Sequence, residues 1–174
     1  MEQEKQKTEE ELAAKIMEYA RDELMISMRF LDRALFRMPL VAADSVAAFG
    51  VDGATMYYNP EYVLHAFKRE KNACTRAFLH MILHCIFSHP FQYEKLDREC
   101  WDLATDLAVE QSILDLNLKC VELERDASLK RTLSHLAQKV PILTAEKIYR
   151  WLYENPEESA EFFRENRSLC GMII

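Results

Sequence analysis

His80-Met81-Ile82-Leu83-His84-Cys85-Ile86-Phe87-Ser88-His89-Pro90 is the stretch on which the reading of this chain turns. His80 and His84 stand four residues apart in an apolar run of helical character. At about 100° per residue, such a pair is offset by only about 40°, so both imidazoles share one face of a helix. Two imidazoles so placed can grip one metal ion. A third histidine, His89, follows just before Pro90. On an unbroken helix it would lie about 180° from His80. A residue before proline is pushed out of the helical region, so the chain is expected to turn at Ser88-His89, and that turn could swing His89 back toward the pair. The plain alternatives are core or surface histidines at 80 and 84, and at 89 a cation favoured by a helix C-terminus.

Downstream, Asp102, Asp106 and Glu110 are spaced i, i+4, i+8 along the next long helix. Asp106 lies between Leu103-Ala104 and Leu107-Ala108. A carboxylate in such apolar company is a candidate third ligand, or an acceptor for a histidine N–H. The alternative is an exposed acidic stripe on an amphipathic helix. Two imidazoles with a carboxylate or a third imidazole suit zinc, although the same donors take nickel, cobalt or iron.

Around this centre the chain reads as mostly helical α+β, with only three glycines and five prolines in 174 residues. Thr8 and Glu11 form a capping-box pattern that opens a long helix reaching about Arg37, before Pro39. Residues 1–7 are expected to be disordered and 8–170 to form a single domain. Ser45–Phe49 and Ala54–Tyr58 flank Gly50-Val51-Asp52-Gly53, an Asp-Gly hairpin signal for a small antiparallel element. Asn59-Pro60 reads as the cap and first residue of a short helix, and Asn72 as the cap of the histidine helix, which is expected to reach about Ser88. Further helices are expected at about 98–116, 127–138, 144–153 and from Pro156 through Phe162 and Phe163. The terminal Gly171-Met172-Ile173-Ile174 is apolar, which suggests the N-terminal part of a longer protein.

Composition narrows the classes. A net charge of −7 argues against nucleic-acid binding through a general basic surface. No apolar run is long enough to span a membrane, and the charged N-terminus is no secretory signal. The five cysteines, Cys74, Cys85, Cys100, Cys120 and Cys170, are odd in number and irregularly spaced, as expected of reduced thiols in a cytoplasmic protein.

These residues together carry a family resemblance. Ala34–Pro39 closes the first helical stretch. Then come Val51-Asp52-Gly53, Tyr58-Asn59-Pro60-Glu61-Tyr62-Val63, His80-x-x-x-His84 with His89-Pro90, and Trp101-x-x-Ala104-x-Asp106. Over roughly residues 25–155 the chain resembles the bacterial, zincin-like putative metallopeptidase domain found N-terminal to von Willebrand factor A-like domains. The resemblance implies zinc held by His80 and His84, with Asp106 or His89 completing the site. It implies a peptide or protein substrate in a cleft beside Ala54–Tyr58, taken as an edge strand, and a partner AAA+ ATPase. Members of that family usually read HExxH, and the glutamate passes a proton from the metal's water to the leaving amine. Here Met81 stands in its place and can do neither. Glu110 and Asp102 are the carboxylates that helix spacing offers as substitutes. The resemblance therefore leaves two expectations: a zinc-binding domain with weak or lost peptidase activity, a pseudoenzyme, or a non-catalytic scaffold working with the von Willebrand-like domain and the ATPase.

Overall fold

A computed structural model describes residues 2–92 and 96–166. Among these residues are eight α-helices and one small sheet: α1 (Glu2–Ser27), α2 (Asp32–Arg37), α3 (Pro60–Arg69), α4 (Ala73–Ile86), α5 (Arg98–Leu116), α6 (Asp126–Lys139), α7 (Ala145–Glu154) and α8 (Pro156–Asn166), with strands β1 (Leu40–Ala42), β2 (Phe49–Val51) and β3 (Met56–Tyr58) between α2 and α3. The mostly helical α+β class is as the sequence predicts. The apolar terminal segment and Cys170 lie outside the described residues.

Local signals explain most helix starts. The Asn59 side chain accepts from the Tyr62 N–H at 3.0 Å, so it caps α3, and Pro60 sits where its missing N–H costs nothing. The Asp97 side chain caps α5 by accepting from the Cys100 N–H at 2.9 Å. Asn72 does not cap α4; its amide instead donates to the Lys119 and Glu122 carbonyls, tying two loops together. Thr8 is not the start of α1, which already runs from Glu2. The first helical stretch is also not continuous to Arg37. It breaks at Met28 (φ −134°, ψ 64°), and the redirected chain buries Leu35 and Met38.

The sheet corrects the expected hairpin in two ways. The first strand is Phe49–Val51 rather than Ser45–Phe49, because Asp52 makes the turn itself. Its carboxylate accepts from the Ala54 and Thr55 N–H groups at 2.8 and 2.7 Å, an Asx-type turn. The strand at Met56–Tyr58 is not an edge. It pairs antiparallel with β2 and parallel with β1, giving the order β1-β3-β2. Pro39 holds the chain extended ahead of β1, and its carbonyl accepts the Met56 N–H at 2.9 Å.

Two apolar cores share one helix. The first joins Met17 and Leu24 of α1, Phe49 and Met56 of the sheet, Phe78, Leu79, Met81 and Ile82 of α4, and Val109 and Ile113 of α5. The second joins Trp101, Leu103 and Leu107 of α5 to Leu129, Leu133, Ile148, Leu152 and Phe162 of α6, α7 and α8. Helices α4 and α5 are therefore buried over most of their length. Every residue from Cys74 to His84 is buried. The four described cysteines are free thiols, and no helix among the described residues is long and apolar enough to cross a membrane.

Candidate metal centre

Polar residues on α4 and α5 meet inside this apolar surround. Arg76, His80 and His84 recur every four residues on α4; Asp102, Asp106 and Glu110 do so on α5. The helices set the stripes against each other in opposite directions, so that Arg76 meets Glu110 while His80 and His84 meet Asp106. His80, His84 and Asp106 are each at most 1% exposed.

The three residues place one donor atom each around a common point. His80 Nε2 and His84 Nε2 are 2.9 Å apart, and each lies 3.3 Å from Asp106 Oδ1. In a tetrahedral zinc site with bonds of about 2.0–2.1 Å, neighbouring donors stand about 3.3 Å apart. The triangle thus has close to the dimensions of one tetrahedral face, and these three residues are a group able to hold a metal ion. The second carboxylate oxygen of Asp106 is buried with no hydrogen-bond partner. Native interiors rarely leave such an atom unmatched unless an ion or a functional demand accounts for it.

Behind the triangle each histidine has a further partner. His80 Nδ1 is 3.0 Å from Glu110 Oε1, and His84 Nδ1 is 3.1 Å from His89 Nδ1. Glu110 is enclosed by cations: Arg76 binds its other oxygen closely, and Arg125 Nη2 lies 3.2 Å from Oε1. Burial works to raise the Glu110 carboxyl, but His80 and the two arginines outweigh it and hold it down to about 2. Burial works to lower His80, but hydrogen bonds to Asp106 and Glu110 push it up to about 9. His84 is held below the usual histidine range by burial, then by the neighbouring His80 charge, against the pull of Asp106. Burial and His84 bring His89 down to about 4. At neutral pH, without an ion, His80 is the charged member and compensates Asp106.

His89 arrives as the pre-proline reading expects, and a serine makes the turn that delivers it. Helix α4 stops at Ile86, short of Ser88, and Ser88 adopts a left-handed conformation at φ 60°. The short 3-10 turn His89–Phe91 follows. The Trp101 indole N–H donates to the His89 carbonyl at 3.4 Å. On the other side Gly53, at φ 89°, leaves room for Phe91, whose ring would stand 2.4 Å from any Cβ there. The hairpin thereby packs on the His89 turn, and a cleft of about 560 Å³ opens between Val46, Gly50, Asp52, Tyr57, Pro90 and Phe91.

Of the predicted site residues, the fold brings His80, His84 and Asp106 to one point and sets His89 against the far nitrogen of His84. Glu110 is not free to serve as a base, because both its oxygens are taken by His80, Arg76 and Arg125. Asp102 is half-buried, 3.7 Å from Arg98, and reaches none of the three donor atoms by a hydrogen bond. Met81 is fully buried in the first core. Cys85 is half-buried, and burial pushes its thiol up, away from reactivity. The residues that sequence reasoning missed are Arg76 and Arg125. The spacing of Arg76, His80 and His84 was the available signal for the first.

Comparison with known proteins returns one result. A family model described as a putative metallopeptidase domain matches residues 13–168. No curated protein and no solved structure matches.

Proposed function

The chain belongs to the putative metallopeptidase domain family, and on that premise we propose that it is a zinc-binding domain of peptidase ancestry whose hydrolytic activity is weak or lost. The observation that carries the metal half is the donor triangle of His80 Nε2, His84 Nε2 and Asp106 Oδ1, with edges of 2.9, 3.3 and 3.3 Å. Two imidazoles and one carboxylate form the donor set of many zinc sites, and an ion there would take the place of the His80 proton as the charge that matches Asp106.

When bound in an open site, zinc acts as a Lewis acid on a carbonyl and makes its water a better nucleophile. The rest of that chemistry needs residues this chain does not provide. A side chain must take a proton from the water and deliver it to the leaving amine, and the thioether of Met81 binds no proton. Loss of such a base costs roughly 10²–10⁴-fold in rate. Glu110 is held as a carboxylate by two arginines on the far side of His80, so it does not replace the missing group. Burial of all three donors further supports a closed, structural role.

A second reading, a scaffold working with a von Willebrand factor A-like domain and an AAA+ ATPase, draws on the packing of Met81 in the core. In either case the cleft beside Tyr57 and Phe91 is the proposed groove for a peptide.

The test has two parts. Protein purified without added metal is expected to carry close to one zinc equivalent by elemental analysis, and His80→Ala or His84→Ala to lose it. Less than about a tenth of an equivalent, unchanged by His80→Ala, would sink the metal half. Cleavage of a peptide library by the wild type, abolished by a chelator, would overturn the loss of hydrolysis.

A further inference from the structure

We propose that Glu110 and His89 are positioning residues that fix the tautomers of the two zinc-binding histidines, so that both Nε2 lone pairs face the ion. The inference rests on the metal reading above and assigns to these residues a role other than ligand or base.

A neutral imidazole has one N–H and one lone pair. A histidine that binds metal through Nε2 must therefore carry its proton on Nδ1, and whatever accepts that proton sets the ring. For His80 the acceptor is Glu110 Oε1, 3.0 Å from Nδ1. An ionised carboxylate only accepts, so the proton lies on His80. For His84 the facing atom is His89 Nδ1, 3.1 Å away. Two ring nitrogens at that distance need one N–H and one lone pair between them. With His84 donating, His89 presents a bare Nδ1 and carries its own proton on Nε2.

Both acceptors are held rigidly. Arg76 spans the site: it binds Glu110 closely, donates to the Val121 carbonyl at 3.0 Å and lies 3.5 Å from Asp126. Its side chain is 3% exposed, so this is a buried ionic scaffold rather than a surface pair. His89 is held by the left-handed Ser88, by Pro90, by the Trp101 N–H on its carbonyl and by the Trp101 ring edge-on at 5.9 Å. The two supports differ in kind. His80 leans on an anion, which raises its strength as a donor to the metal, while His84 leans on a neutral ring.

The test uses the full chain loaded with zinc. Two-bond proton–nitrogen correlation spectra are expected to show His80 and His84 both protonated at Nδ1 and coordinated through Nε2. Competition against a chelator is expected to give a 10- to 100-fold weaker zinc affinity for His89→Phe and for Glu110→Leu, neither of which offers an acceptor, a usual cost of losing such a partner. His89→Gln, whose amide oxygen can accept the proton, is expected to recover most of the loss. The cobalt(II) absorption spectrum is expected to stay the same in the His89 variants, since the ligand set does not change. Should Glu110→Leu fail to fold, the His89 variants and the nitrogen spectra decide alone. Wild-type zinc binding with coordination through Nδ1, with unchanged affinity in His89→Phe, or with an altered cobalt spectrum there would overturn this inference only. A wild type that binds no zinc would overturn the metal reading and this inference with it.

Discussion

Asp106 and Glu110 are both buried carboxylates, one turn apart on the same face of α5, yet the protein treats them oppositely. Glu110 has Arg76, Arg125 and His80 around it, and both its oxygens are engaged. Asp106 has no arginine or lysine among its partners: it meets two histidines through one oxygen and leaves the other buried and unmatched. Charges inside proteins are tolerated only when matched. Glu110 is matched by the chain itself, whereas Asp106 is matched by a proton on His80 or, as proposed, by a metal ion. The chain thus engages both oxygens of the outer carboxylate itself and leaves one oxygen of the inner one unmatched.

The comparison can be broken most forcibly at Arg76. Arg76→Ala would strand Glu110 and Asp126 in the interior, and a loss of about 3–5 kcal/mol is expected in urea unfolding, with or without zinc. A loss below about 1 kcal/mol would mean that Glu110 is not matched as described. At Asp106 the dependence on metal reverses. Zinc at about a thousand times its dissociation constant is expected to stabilise the wild type by about 4 kcal/mol, and Asp106→Asn to abolish that gain. The metal-free stability of Asp106→Asn is expected to stay within about 1 kcal/mol of wild type, since His80 keeps Glu110.

pH sharpens the same contrast. His80 rises from 6.5 to about 9 in the metal-free fold, where it faces Asp106, Glu110 and His84. A raised pKa gives stability that is complete below the unfolded value and disappears as pH climbs through the folded one. Metal-free protein should thus lose on the order of 2–3 kcal/mol between about pH 6.5 and 9, and zinc-loaded protein should not. Denaturant midpoints across that range, with and without zinc, check this. Over the same range zinc uptake should release about one proton, because the ion displaces it from His80. The smallest effect is expected at the turn that delivers His89. Ser88→Gly relieves a left-handed serine and should add up to about 1 kcal/mol without altering zinc affinity, measured by thermal unfolding and chelator competition.

How far the sequence reaches differs between elements. Helices with their own punctuation were legible: Asn59-Pro60 opens α3, and α5 occupies the expected 98–116. The break at Met28 was not, because no proline or glycine marks it and the apolar spacing runs through. Strand β1 was missed because its three residues are too few to show alternation. The edge position of Ala54–Tyr58 came from the family resemblance, and pairing with β1 instead puts Met56–Tyr58 in the middle of the sheet.

The site divides along the same line. Spacing within one helix is local geometry, so the sequence alone determined that His80 and His84 share a face, that Asp102, Asp106 and Glu110 form a stripe, and that Met81 offers no base. It also determined that the chain must turn at His89, since Pro90 forbids the helix. Which carboxylate meets which histidine depends on how α4 slides against α5. That register is fixed by packing on both sides: α5 places Trp101, Leu103 and Leu107 in one core and Val109 and Ile113 in the other. Only the tertiary structure therefore decided that Asp106 closes the triangle, that Glu110 stands behind it with Arg76, and that His89 reaches His84. A one-turn shift would move α5 by about 5.4 Å and exchange the partners, at the cost of unpacking both cores.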